Sequence, residues 1–208
     1  MGYLENITVI VVNYRTIDLA KRCIDSFLNY YPGINLLLID NGSQDNSTEY
    51  IEHVSKYNDN VTSIINEENL YHGPAMDQGI KSSATRFAFT LDSDCEIIKQ
   101  GFLEQMLALF QDPDLYAAGQ LAYMDRYGYE TRTGRQRNTI KYIYPFAMLL
   151  DKEKYLALTP FIHHGSPGIK NMHEAEEIGY TVMNFPVKDL CFEMRFSSEI
   201  AERIQRCF

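Results

Sequence analysis

Phe87-Ala88-Phe89-Thr90-Leu91-Asp92-Ser93-Asp94 is the stretch on which the reading turns. Five mostly apolar residues in a row read as a buried strand, and the strand runs straight into two acids. Alternate residues of an extended chain point the same way, so Asp92 and Asp94 are expected to converge just past the strand's end. Two carboxylates that close repel and raise each other's pKa unless a cation lies beside them. Hard oxygen donors of this kind suit Mg²⁺ or Mn²⁺, which complete their shell with water and phosphate oxygens. The bland alternative is a pair of acids in a solvated turn.

The chain before this stretch repeats its logic. Ile7–Val12 is a continuous β-branched run, the mark of a strand covered on both faces, and it ends at Asn13. Leu36–Ile39 ends at Asp40, and Val61–Ile65 runs into Asn66 and Asn69. Helices are predicted between the strands: one over about 17–30 with Thr16 as N-cap, one opened by an Asn46/Glu49 capping box, and one of small residues led by Gly73-Pro74. Strand–helix alternation means a mostly parallel α/β sheet, and such sheets bind ligands beyond their carboxyl edge. Four successive strands ending in polar clusters there is a sharper signal than any one of them.

After an amphipathic helix over 101–111 the regularity fades. Strands are predicted over 115–123 and 142–150, the latter an edge or bulged strand because Pro145 interrupts it. Helices follow over 151–157 and 170–178, then a strand over 180–187. The 208 residues fit a single domain, 1–111 forming a regular βαβ half and 112–208 an irregular half in which specificity is expected to lie. A formal charge of −9 argues against nucleic acid as the main partner. The four cysteines have no Cys-x-x-Cys spacing, which favours free thiols in a cytoplasmic protein. No apolar run is long enough to cross a bilayer, so membrane contact is expected to be at most peripheral. Arg126, Arg132, Arg135, Arg137 and Lys141 stand out against the acidic background as a loop that could close on phosphate or an anionic acceptor, or as a plain solvated run.

At this point the sequence resembles a glycosyltransferase of the GT-A fold, in the large inverting family 2. The resemblance rests on Ile7 through Tyr14, Ile39 through Ser47, Asn69 through Gly79, and Leu91-Asp92-Ser93-Asp94, in the family's order. It implies a Rossmann-like fold and transfer of a sugar from a nucleotide diphosphate donor, UDP first, to a carbohydrate, lipid-linked or protein acceptor. It further implies that Val12, Asn13, Tyr14 and Arg15 line the base and that Asp40 bonds the base ring. Asn69, Gly73, Asp77 and Ser93 fall in the donor-binding motifs. Asp92 is implied near the ribose or the metal, and Asp94 on the Mn²⁺ or Mg²⁺ that holds the diphosphate.

Two departures matter. Asp77 stands where the family commonly has Asn, and Asn69 and Asp77 can also be read as a loop Asn and a helix-face charge. The acidic pair that usually supplies a general base is replaced by Ser166-Pro167-Gly168-Ile169-Lys170. His163 or His164 then becomes the candidate base or acceptor contact, against a plain surface loop, and Glu193 the candidate for a further metal ligand. A nucleotide-sugar binder without turnover and a sugar nucleotidyltransferase are the alternatives. The nucleotidyltransferase's Gly-rich loop is missing after the first strand. A haloacid-dehalogenase-type phosphatase is disfavoured because Glu96 stands where that chemistry needs Thr or Val.

Overall fold

The computed structural model describes residues 4–131, 138–162 and 165–187, together with the backbone of 192–194. Its elements are β1 (Ile7–Asn13), α1 (Ile17–Tyr30), β2 (Asn35–Asp40), α2 (Ser47–Tyr57), β3 (Val61–Ile65), α3 (His72–Ser82) and β4 (Phe87–Asp92). There follow β5 (Cys95–Ile97), α4 (Phe102–Leu109), β6 (Leu115–Met124), β7 (Ile140–Asp151), α5 (Lys152–Leu156), α6 (Ile169–Glu177), β8 (Thr181–Asn184) and β9 (Phe192–Met194). Seven strands form one sheet in the order β3-β2-β1-β4-β7-β6-β8. Only β7 runs against the rest.

Side-chain parity explains the continuous apolar runs. Ile7, Val9 and Val11 of β1, Leu36 and Leu38 of β2, and Phe87, Phe89 and Leu91 of β4 pack into a layer with α1, α2 and α4. Ile10, Leu37, Ile39 and Ala88 face the opposite layer, with Met76 and Ile80 of α3 and with Tyr155 and Met172 from α5 and α6. Both faces are covered, so alternation with polar residues is absent. Gly79 lets α3 lie close, because a Cβ there would come within 2.5 Å of the Ile10 side chain.

The strand order places the crevice. From β1 the chain winds outward through β2 to β3, then α3 carries it back to β4 on the other side of β1. The order therefore reverses between β1 and β4, and a parallel sheet opens a ligand crevice at such a point. The register brings Asn13 opposite Asp40, and Val12 opposite Asp92.

Several local expectations are corrected. The strand over 142–150 is not an edge: β7 lies between β4 and β6. It is bulged, with Tyr144, Pro145 and Phe146 outside both ladders, so the missing proline N–H is not needed. Thr90 Oγ1 donates to the freed Pro145 carbonyl. The Asn46/Glu49 capping box does not form; Asn46 makes no side-chain cap, and Asp45 accepts from the Ser47 N–H at 2.8 Å instead. Thr16 likewise does not cap α1. Its hydroxyl donates to Asn13 Oδ1 at 3.0 Å.

One cap was not foreseen. Helix α4 begins at Gly101, which has φ +96 and no side chain to offer. The Tyr31 phenol oxygen, arriving from the end of α1, accepts from the N–H groups of Gly101 at 2.7 Å and Phe102 at 3.2 Å. Tyr31 is buried and its ring stacks on Phe27. Removing the oxygen strands two helix-start donors. Tyr31→Phe should therefore lower stability by about 1–2 kcal/mol in urea unfolding, with little change in the slope of the transition.

Candidate donor site at the carboxyl edge of the sheet

Asp40 is the best-satisfied polar group at this edge. It is buried, and its Oδ1 accepts from Asn13 Nδ2 at 3.1 Å and from the Ser43 hydroxyl. Its Oδ2 accepts from Thr48 Oγ1 at 2.8 Å and the Ser43 N–H at 3.4 Å. All four lone-pair positions of the carboxylate are thus used by the chain itself. A donor base ring could reach Asp40 only by displacing one of these partners. Asn13 Nδ2 also donates to Ser43 Oγ, and Arg15, with φ +57, donates from N–H to Ser43 Oγ and from Nε to the Ser43 carbonyl. The Arg15 guanidinium carbon lies 5.1 Å from the Tyr14 ring centroid.

The loop after β3 is held by side-chain amides. Asn41 Oδ1 accepts from Asn66 Nδ2 and the Leu70 N–H, and its Nδ2 donates to Asn69 Oδ1 at 2.9 Å. Asn66 and Gln78 exchange two amide bonds, at 3.0 and 2.9 Å. Gly42, at φ +76, closes the arrangement; a Cβ there would lie 2.4 Å from the Glu68 backbone. Asn69 therefore serves the loop directly. Asp77 faces other partners, with Lys81 Nζ at 2.8 Å on one oxygen and the Tyr155 hydroxyl at 2.8 Å on the other. Gly73 is buried in the first turn of α3.

Asp92 and Asp94 come together, although not by the extended path expected. The strand stops at Asp92, and Ser93 and Asp94 form a turn. Asp92 keeps about a third of its side-chain surface. Crowding by protein around it raises its pKa to about 6. Burial, and next the charge of Asp92, push Asp94 to about 6 as well. His72, at the start of α3, has Nε2 3.5 Å from Asp92 Oδ1, and burial lowers its pKa against the opposing pull of the Asp94 charge. Ser93 Oγ lies 3.2 Å from Thr16 Oγ1. Beneath the turn, the buried Cys23 thiol donates to the Asp92 carbonyl at 3.6 Å. Sequence reading missed His72, Ser43 and Thr48. His72 stood inside a quoted motif, and Ser43 and Thr48 lie three and eight residues beyond a strand-end acid.

Other expected residues fall elsewhere. His163 and His164 lie outside the described residues, as do Arg132, Arg135 and Arg137 and the side chain of Glu193. The Glu193 backbone pairs with Glu96 in the β5–β9 ladder. Arg126 lies over the Tyr127 ring, and Lys141 pairs with Glu176 at 3.3 Å. Among the described residues no helix is long and apolar enough to cross a membrane.

Residues 8–175 match the model of glycosyl transferase family 2. The chain belongs to that family. Among curated relatives, glycosyltransferase GlyG of Streptococcus pneumoniae (serotype 4) is 30% identical over 112 residues, spanning 53% of this chain and 36% of GlyG. The poly-beta-1,6-N-acetyl-D-glucosamine synthase of Staphylococcus aureus (strain MW2) is 30% identical over 116 residues, 55% of this chain and 28% of the synthase. These matches span about a third of the relatives' own length. Among solved structures, mannosyltransferase PcManGT from Pyrobaculum calidifontis, in complex with GDP-Man and Mn²⁺, superposes with a TM-score of 0.73 at 15% identity. It covers 99% of this chain and 61% of that one. S. aureus TarS 1-349 in complex with UDP gives 0.65 at 14% identity, covering 96% and 63%. The fold of this family 2 chain is thus that of the GT-A glycosyltransferases.

The acid pair has a consequence for stability. Carboxyls whose folded pKa lies near 6, above the ordinary aspartate value of 3.8, favour the folded protein fully at low pH. That contribution fades as pH rises from about 4 through 6. In the metal-free protein Asp94→Asn should therefore raise the thermal midpoint at pH 7.5 and leave it little changed at pH 4. A scan of thermal midpoint against pH for both proteins checks it.

Proposed function

We propose that this chain transfers a sugar from a nucleotide diphosphate donor, UDP-linked in the first instance, to an acceptor hydroxyl with inversion. The observation that carries this reading is the acid pair Asp92/Asp94, raised to about 6, in the crevice where strand order reverses between β1 and β4. Two half-buried carboxylates whose pKa burial raises suit a divalent ion. The donor set is all oxygen, which fits Mn²⁺ or Mg²⁺, and Asp92 and Asp94 would hold it. Among the described residues no third acid, histidine or cysteine joins them as a ligand set; Glu193, whose side chain lies outside those residues, would be a further ligand, and water and diphosphate oxygens would fill the remaining positions. When bound, the ion supplies Lewis-acid stabilisation of the negative charge that gathers on the leaving diphosphate. PcManGT was solved with GDP-Man and Mn²⁺, and TarS with UDP, which supports a donor of this class.

The chain's own residues do the rest. The β1–α1 segment from Val12 to Arg15 and the ends of β2 and β3 form the nucleoside side. Asn13 is buried, its amide held by Asp40, Ser43 and Thr16, so the rim around it is ordered before a ligand binds. The 112–208 half supplies the acceptor side. The acceptor oxygen bonds to the anomeric carbon as the bond from that carbon to the diphosphate oxygen breaks. The hydroxyl proton passes to a base from the His163-His164 segment, since 166–170 contains no carboxylate. A neutral imidazole there accepts the proton near pH 7.

The test is calorimetry with UDP and GDP in the presence and absence of Mn²⁺. Wild type should bind one of them tightly only with the ion, and Asp94→Ala should lose at least ten-fold in affinity. Unchanged affinity in that variant would remove the metal role. Binding with no transfer or hydrolysis of any nucleotide sugar would favour a donor-binding protein without turnover.

A further inference from the structure

Tyr71 stands immediately before α3 with φ +67 and ψ +165. That backbone region is open to glycine and nearly closed to every residue with a Cβ. Tyr71 is neither buried nor tucked away, since 65% of its surface is exposed. A large aromatic side chain is therefore held at the surface in a conformation that glycine would adopt without strain.

The surroundings fix it there. Asn69 Oδ1 accepts from the Tyr71 N–H at 2.8 Å, and the Tyr71 carbonyl accepts from the Ala75 N–H at 3.1 Å and lies 3.5 Å from Asn41 Nδ2. Asn41 follows Asp40 directly, and its own N–H donates to the Asn13 carbonyl. On the other side, Tyr71 is followed by His72, 3.5 Å from Asp92. Tyr71 is thus anchored between the nucleoside side of the crevice, at Asn13 and Asp40, and its acidic end. A donor lying from Asn13 to Asp94 passes beside it. Aromatic rings stack on nucleobases without needing a particular base.

We propose that Tyr71 is a nucleobase-binding residue of the donor site, its exposed ring covering the base once the donor is bound. The inference rests on the donor reading given above and adds to it the group that closes over the nucleoside. The strained backbone is what places a ring, rather than main chain alone, at this point of the rim. The same strain makes the two roles of the residue separable. Replacing Tyr71 by Gly removes both strain and ring, whereas replacing it by Ala removes the ring and leaves the Cβ.

The experiment measures affinity for UDP, GDP and inorganic pyrophosphate, each with Mn²⁺, and the thermal midpoint without ligand. Tyr71→Gly and Tyr71→Ala should each weaken the nucleotide that wild type binds by at least about five-fold. Pyrophosphate affinity should stay within about two-fold of wild type. Tyr71→Gly alone should raise the midpoint, by about 2–4 °C. Nucleotide affinity unchanged in Tyr71→Ala overturns the proposal, as does an equal loss for pyrophosphate. In either case Asp94→Ala still losing nucleotide binding leaves the donor reading standing. Wild type binding none of the three probes overturns both.

Discussion

A buried carboxylate costs several kcal/mol unless its hydrogen bonds are made, and Asp40 makes all of them within the chain. Its partners come from the end of β1, from the turn after β2 and from the first turn of α2. One side chain therefore fixes the relative positions of three segments at the edge where ligands enter. Ser43 extends the fix to Arg15, and Asn41 extends it to the loop after β3. This side of the crevice is held in place because Asp40, Asn13, Ser43 and Asn41 are already committed.

The opposite side of the crevice is built on the reverse principle. Asp92 and Asp94 are crowded by the protein around them, and the charge of Asp92 makes Asp94 harder still to ionise. His72 relieves Asp94 in part, while burial lowers the pKa of His72 itself. The contrast between a saturated acid and an unsatisfied pair, one strand apart, divides the labour. Asp40 holds the frame, and the pair is the part of the edge whose charge the protein leaves poorly solvated.

The fold was legible because the signals for it are local. Uninterrupted β-branched and aliphatic runs, each closed by a polar residue, give the parallel strands and the edge at which they end. Asp92, Asp94, Asn13 and Asp40 stand at that edge for the same reason. What the sequence hid is long-range or conformational. Nothing in Tyr31-Pro32 announces that its phenol caps a helix seventy residues on, and nothing in Asn46–Glu49 says that Asp45 will take the cap's place. The strained Tyr71 looks in sequence like any loop tyrosine. The resemblance implies a base contact for Asp40; only the folded chain shows how fully its carboxylate is engaged. The second half was read less well, since a strand that doubles back against its neighbours and swells around Pro145 follows no simple period.

That swelling sets a rule for how the chain tolerates change in length. Tyr144, Pro145 and Phe146 stand outside the ladders, while Ala147 through Leu150 keep strict register with β4. Deleting one of the three would not tidy the sheet. It would turn Ala147, Met148, Leu149 and Leu150 over, sending each to the layer now filled by its neighbour. Losing a pair would preserve facing but shorten the slack that lets the Pro145 carbonyl meet Thr90 and the Phe146 carbonyl meet the Cys95 thiol. Cys95 adjoins Asp94, so the slack in a strand of the second half bears on the footing of the acids in the first.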